Sequence, residues 1–87
     1  MNLPQLSHRQ KIIILIQTFI DQFVPGDMLR TEDVIKYVHR YHHRYIYGDT
    51  ILRYMRDMRK RGDINYTIVS KRERTIKILL IGEDHSL

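Results

Sequence analysis

The chain has no cysteine. That excludes a disulfide framework, a thiolate zinc site and a cysteine nucleophile, and it fits an intracellular, cytoplasmic protein. Long apolar runs are also missing. Ile12 to Ile16 falls far short of the ~20 residues needed to span a bilayer, and it lacks the small-residue cleavage site of a signal peptide. No membrane association is expected. There is no glycine-rich phosphate loop, and serine occurs only at positions 7, 70 and 86, none in a nucleophile elbow. The acids are scattered, and 87 residues leave little room for an enclosed pocket. Neither an enzyme, nor a cofactor, nor a small-molecule ligand is expected. Repeats and low-complexity segments are absent.

What is present is a folded chain with its charge concentrated. A hydrophobic content of 43% belongs to a globular protein, and the length allows one domain with a modest core. That domain is expected over about residues 7–81, followed by a loose tail at 82–87. The net charge is +5. Residues 1–29 are neutral, with Arg9 and Lys11 offset by Asp21 and Asp27. Residues 30–61 carry nine Lys/Arg against four Asp/Glu, and residues 71–77 carry four against one. Charge confined to two segments in this way is the footprint of a polyanionic partner.

Ser7 with Gln10 three residues on forms a capping-box pattern. Ile12, Ile16, Phe19, Ile20 and Phe23 then recur at helical spacing, with Ile13 and Leu15 widening the apolar sector. This helix is expected to end before the Pro25-Gly26-Asp27 turn. It is either a central core helix or a homodimer contact. Met28 to Arg30 reads as a short strand. Thr31 is expected to cap a second helix that runs to about His42, with Glu32 and Asp33 in its first turn and Val34, Ile35, Val38 and Tyr41 on its buried face.

Residues 48–62 read as a third helix with two unlike faces. Ile51, Met55 and Met58 fall on one stripe at i, i+4, i+7, and arginine and lysine fill the rest. Asp49 is expected to cap its start and Gly62 to stop it in a left-handed conformation. Ile64, Tyr66 and Ile68 then alternate, as do Ile76, Ile78 and Leu80, on either side of a charged loop, Ser70 to Arg74. The pattern predicts a β-hairpin with a basic tip.

The order helix, strand, helix, helix, strand, basic loop, strand resembles the winged-helix (winged helix-turn-helix) DNA-binding domains of small transcription regulators. The resemblance spans about residues 7–81, and the run from Thr50 through Gly62 to Ile64 and Tyr66 carries most of it. The connection His43–Gly48 is longer and more aromatic than the family's tight turn. The resemblance implies an α+β fold, a three-helix winged helix-turn-helix with a C-terminal β-hairpin wing. It implies sequence-specific binding of double-stranded DNA and transcription regulation by operator occupancy, with a homodimer as the expected form.

In such a module the third helix enters the major groove with its N-terminal residues. Carried onto this chain, the recognition-helix contacts are Thr50, Arg53, Tyr54, Arg56, Asp57 and Lys60. Arg53 is the candidate for base readout, because its guanidinium fork matches guanine O6 and N7. Arg56 and Lys60 would meet phosphates. Arg59 and Arg61 are either phosphate contacts or solvated end-of-helix charges. Leu52 is core or a thymine-methyl contact. The wing would be Lys71, Arg72 and Arg74. Arg40, His43 and Arg44 are further candidates for phosphate contacts.

His39 and His43 stand at i, i+4, a spacing that can chelate a metal. Arg40 stands where a metalloprotease would have glutamate, and the basic surroundings disfavour a dication, so no metal is expected. Tyr37, Tyr41, Tyr45 and Tyr47 interleave with histidine and arginine. They either stack single-stranded bases or pack the joint between the second and third helices. The alternatives to a duplex-DNA binder are an RNA or single-strand binder and a winged-helix protein–protein adaptor.

Overall fold

Local chemistry sets the first helix. In the computed structural model, which describes residues 6–84, Ser7 Oγ accepts the Gln10 N–H and the Gln10 side chain accepts the Ser7 N–H. This closes the capping box at the start of α1 (His8–Ile20). Five further elements follow: β1 (Met28–Arg30), α2 (Thr31–Tyr41), α3 (Gly48–Arg61), β2 (Tyr66–Ser70) and β3 (Thr75–Ile78). The fold is α+β, three helices and one three-stranded antiparallel sheet in the order β1-β3-β2.

The core lies between the helices and one face of the sheet. Ile12, Ile16 and Ile20 of α1, Val34 and Val38 of α2, and Ile51, Met55 and Met58 of α3 meet Leu29, Ile64, Tyr66, Ile76 and Ile78. Each fully buried aliphatic or methionine side chain contributes about 1.5–3 kcal/mol of transfer free energy. The helical periodicity read from the sequence is therefore the periodicity of burial. Gly62 ends α3 at φ 83°, the left-handed stop expected of it.

Several boundaries differ from the sequence reading, each for a local reason. α1 stops at Ile20 and does not reach Phe23. Val24 precedes proline and so avoids the helical region, and its N–H bonds the Asp27 carboxylate at 3.0 Å. Thr31 is the first residue of α2, not its cap. Arg30 stands at the N-cap without a side-chain bond, and the Thr31 N–H donates to the Arg74 carbonyl at 2.9 Å. Asp49 likewise lies within the first turn of α3, with Tyr47 at the N-cap making no side-chain bond. Tyr41, expected on the buried face of α2, is exposed.

The hairpin is shifted as well. β2 begins at Tyr66, and Ile68, still in register with Ile76, is partly exposed because it borders an open groove with Leu52, after which the register shifts towards Ser70. β3 ends at Ile78, so Leu79 is buried where Leu80 was expected, and Leu80 is exposed. Asn65 enforces that ending. Its carbonyl accepts the Leu79 N–H, and its amide donates to the Leu80 and Glu83 carbonyls at 2.8 and 2.7 Å. The expected loose tail is thus held as far as Glu83. The rest of that expectation, residues 85–87, lies outside the described residues. No helix among the described residues is long and apolar enough to cross a membrane.

Candidate nucleic-acid interface

Once Ile51, Met55 and Met58 face the core, the rest of α3 divides into three sectors. Arg53, Arg56 and Lys60 are exposed and related by three, four and seven residues, which makes them one outward ridge. No ion pair among the described residues engages them. Arg53 has a ring beside it, its guanidinium lying 5.7 Å from the Tyr54 centroid.

The second sector faces α1. Arg9 lies 5.4 Å from the Tyr54 ring and 3.8 Å from the Asp57 carboxylate. Tyr54 and Asp57 are thereby partnered within the fold, and Thr50, four residues before Tyr54, is half-buried on the same flank. Arg9 brings a cation to this flank. No signal in the sequence marked it, because its position depends on how α1 packs on α3.

The third sector faces the sheet. Arg59 stacks 4.4 Å above the Tyr66 ring, and its Nη1 donates to the Tyr66 carbonyl at 3.3 Å. It is a packing residue. Arg61 pairs with Asp63 at 3.2 Å. Burial pushes the Tyr66 phenol above its ordinary value, while the charges of Arg59 and Arg56 pull the other way. Leu52 is half-buried on this side and packs against the core.

The hairpin tip is ordered by its own short bonds. Ser70 Oγ accepts the Glu73 N–H at 3.1 Å, and the Arg74 N–H reaches the Lys71 carbonyl at 3.3 Å. Arg74 adopts φ 55°, which lets its carbonyl turn back to the first N–H of α2. The tip is therefore tied to the helical layer. Lys71, Arg72, Glu73 and Arg74 all remain exposed. Lys71 and Arg74 border a groove of about 240 Å³ whose opposite wall includes Asp49 and Leu52 of α3. Arg56 follows Leu52 by four residues and Asp49 by seven, so it rises on that same side of the helix. The hairpin tip and the first turns of α3, apart in sequence, meet across one groove, with Lys71 and Arg74 set against Asp49 and Leu52.

Other expected contacts fall elsewhere. Arg40 lies 5.6 Å from the Tyr41 ring and borders a surface groove with Phe19 and Tyr37, on the α1–α2 side. His43 borders another groove with Leu6, Ile14 and Tyr41. Neither groove includes a ridge or wing residue. Arg44 is exposed in the segment leading to α3. The expected His39–His43 pair on one helix face is not formed, because α2 ends at Tyr41. His39 Nε2 instead donates to the Ile46 carbonyl at 2.6 Å. His42 contacts His8 across the helices, with Nε2 atoms 3.2 Å apart, and burial followed by the His8 charge holds its pKa below the ordinary value. Among the described residues no group of three His, Asp or Glu side chains is arranged to hold a metal.

The tyrosines separate into two sets. Tyr37 packs 4.9 Å from Phe19 and 4.7 Å from Tyr41. Tyr45 and Tyr47 stand out in solvent at the start of α3. No protein-family model matches the chain, and no curated protein or solved structure does either.

Proposed function

We propose that the protein is a winged-helix module that binds double-stranded DNA, with α3 in the major groove and the hairpin tip on the adjacent backbone. The observation that carries this reading is the shared groove: Lys71 and Arg74 on one wall, the N-terminal half of α3 on the other. The order of elements supports it, as does a ridge of three cations that no ion pair among the described residues engages. B-DNA's major groove is about 12 Å wide and admits one helix, whereas the narrow major groove of an RNA duplex does not. Arg53 then reads guanine, Arg56 and Lys60 hold phosphates, and Lys71, Arg72 and Arg74 grip the backbone beside the groove. Such a protein regulates transcription by occupying an operator.

Fluorescence anisotropy with a labelled duplex across a salt series tests the reading. About five neutralised phosphates give a log–log slope of about −4 to −5. Arg53→Ala erodes discrimination at one base position, whereas Lys71→Ala weakens all duplexes alike and flattens the slope by about one. Absence of duplex binding at low salt refutes the proposal and favours an acidic protein partner.

A further inference from the structure

Tyr45 and Tyr47 are 74% and 72% exposed, the highest values among the exposed large hydrophobics. Neither burial in the core nor capping accounts for them. Tyr47 holds the N-cap of α3, where serine, threonine or aspartate would bond the free N–H groups and tyrosine does not. The two rings are nonetheless held in place. Ile46 between them is buried and anchors the segment. His39 Nε2 donates to the Ile46 carbonyl, and Tyr45 stacks on the His39 ring at 5.2 Å with 30° between planes. Tyr47 meets Tyr45 edge-on at 5.6 Å and 87°. Gly48 then lets α3 close on α2, since a Cβ there would approach Ile35 Cδ1 to 3.1 Å. Two pre-positioned aromatic rings therefore project from a fixed segment, beside exposed Arg44 and at the end of α3 aimed into the major groove.

We propose that Tyr45 and Tyr47 form a stacking shelf for unpaired bases. The ligand is then a duplex with a single-stranded stretch beside the site that α3 contacts. This rests on the duplex-binding reading above. Aromatic rings beside a cationic surface are the chemistry that holds single strands, since every base has a stacking face. Order fixed in the free protein lowers the side-chain entropy lost on binding.

The test compares a blunt duplex with the same duplex carrying a tail of about ten nucleotides, 5′ or 3′, by anisotropy at low salt. Wild-type protein binds one tailed form about tenfold more tightly than the blunt one, near the low end of what stacking one or two bases supplies. The double variant Tyr45→Ala/Tyr47→Ala loses that gain and keeps its affinity for the blunt duplex. Tyr45→Phe/Tyr47→Phe retains the gain, because stacking needs the ring and not the hydroxyl. Equal affinity for tailed and blunt duplexes overturns the shelf and leaves the duplex reading standing. A gain that survives the double alanine variant also overturns it. So does a variant that loses blunt-duplex affinity as steeply as tailed. Failure of both DNAs to bind overturns the shelf together with the duplex reading.

Discussion

Arg59 and Lys60 are adjacent residues with the same charge and opposite assignments, which makes them a paired test of the interface. Arg59 covers the Tyr66 ring at 4.4 Å and bonds its carbonyl at 3.3 Å. Replacing it with alanine removes a partly desolvated cation–π contact, about 1–2 kcal/mol, and a long charge-assisted hydrogen bond, about 1 kcal/mol. These terms share one side chain and do not add fully, so the expected loss is about 2 kcal/mol. For a domain of this size that lowers Tm by about 8–16 °C. Lys60 is exposed on the outward ridge. Lys60→Ala loses only a favourable interaction with the helix dipole, about 0.3–1 kcal/mol. Circular dichroism melts and DNA anisotropy across a salt series read the two effects separately. Arg59→Ala gives a large fall in Tm and an unchanged salt slope. Lys60→Ala gives a Tm close to wild type and a slope flatter by about 0.9. Arg59→Ala that melts like wild type and flattens the slope refutes the division of α3 into packing and binding sectors.

Three further outcomes follow from single groups. Thr31 Oγ1 is buried with no hydrogen-bond partner among the described residues, so Thr31→Val raises stability by about 1 kcal/mol, seen as a higher Tm. Burial raises the Tyr66 pKa above 10.0, so the unfolded chain ionises first; stability is retained below that pH and lost above it. Absorbance at the tyrosinate band will show a late-ionising tyrosine, a step that Tyr66→Phe removes. Tyr47→Ser supplies the missing cap of α3 and adds about 0.5–2 kcal/mol, while removing one ring of the shelf. A Tm gain joined to a reduced preference for tailed DNA identifies Tyr47 as a residue kept at the expense of stability.

Elements whose signal is local were readable from the chain itself. Ser7 and Gln10 announce the capping box, Gly62 the helix stop, and the 3.6-residue recurrence of Ile51, Met55 and Met58 the inner face of α3. Features set by distant partners were not. The start of α2 draws its bond from Arg74, forty-three residues later, so Thr31 never needs to cap. Leu79 replaces Leu80 in the core because Asn65 ends the strand. The same limit applies at the interface. Ridge cations and the basic tip are visible as composition, but the groove between the tip and α3 exists only after folding. Arg59 reads like Lys60 until Tyr66 lies beneath it. Tyr37 and Tyr45 sit in similar sequence surroundings, yet one packs on Phe19 and the other remains in solvent.

Amide chemical-shift mapping on the isotope-labelled protein, titrated with duplex DNA, tests most directly whether the ridge and the hairpin tip act as one surface. Shifts in the exposed positions of α3 from Asp49 to Lys60 should appear together with shifts in Lys71 to Arg74, at one common affinity, while Phe19, Tyr37 and Tyr41 stay unmoved. Shifts centred on the α1–α2 side with a silent hairpin, or two segments responding at different DNA concentrations, would contradict it.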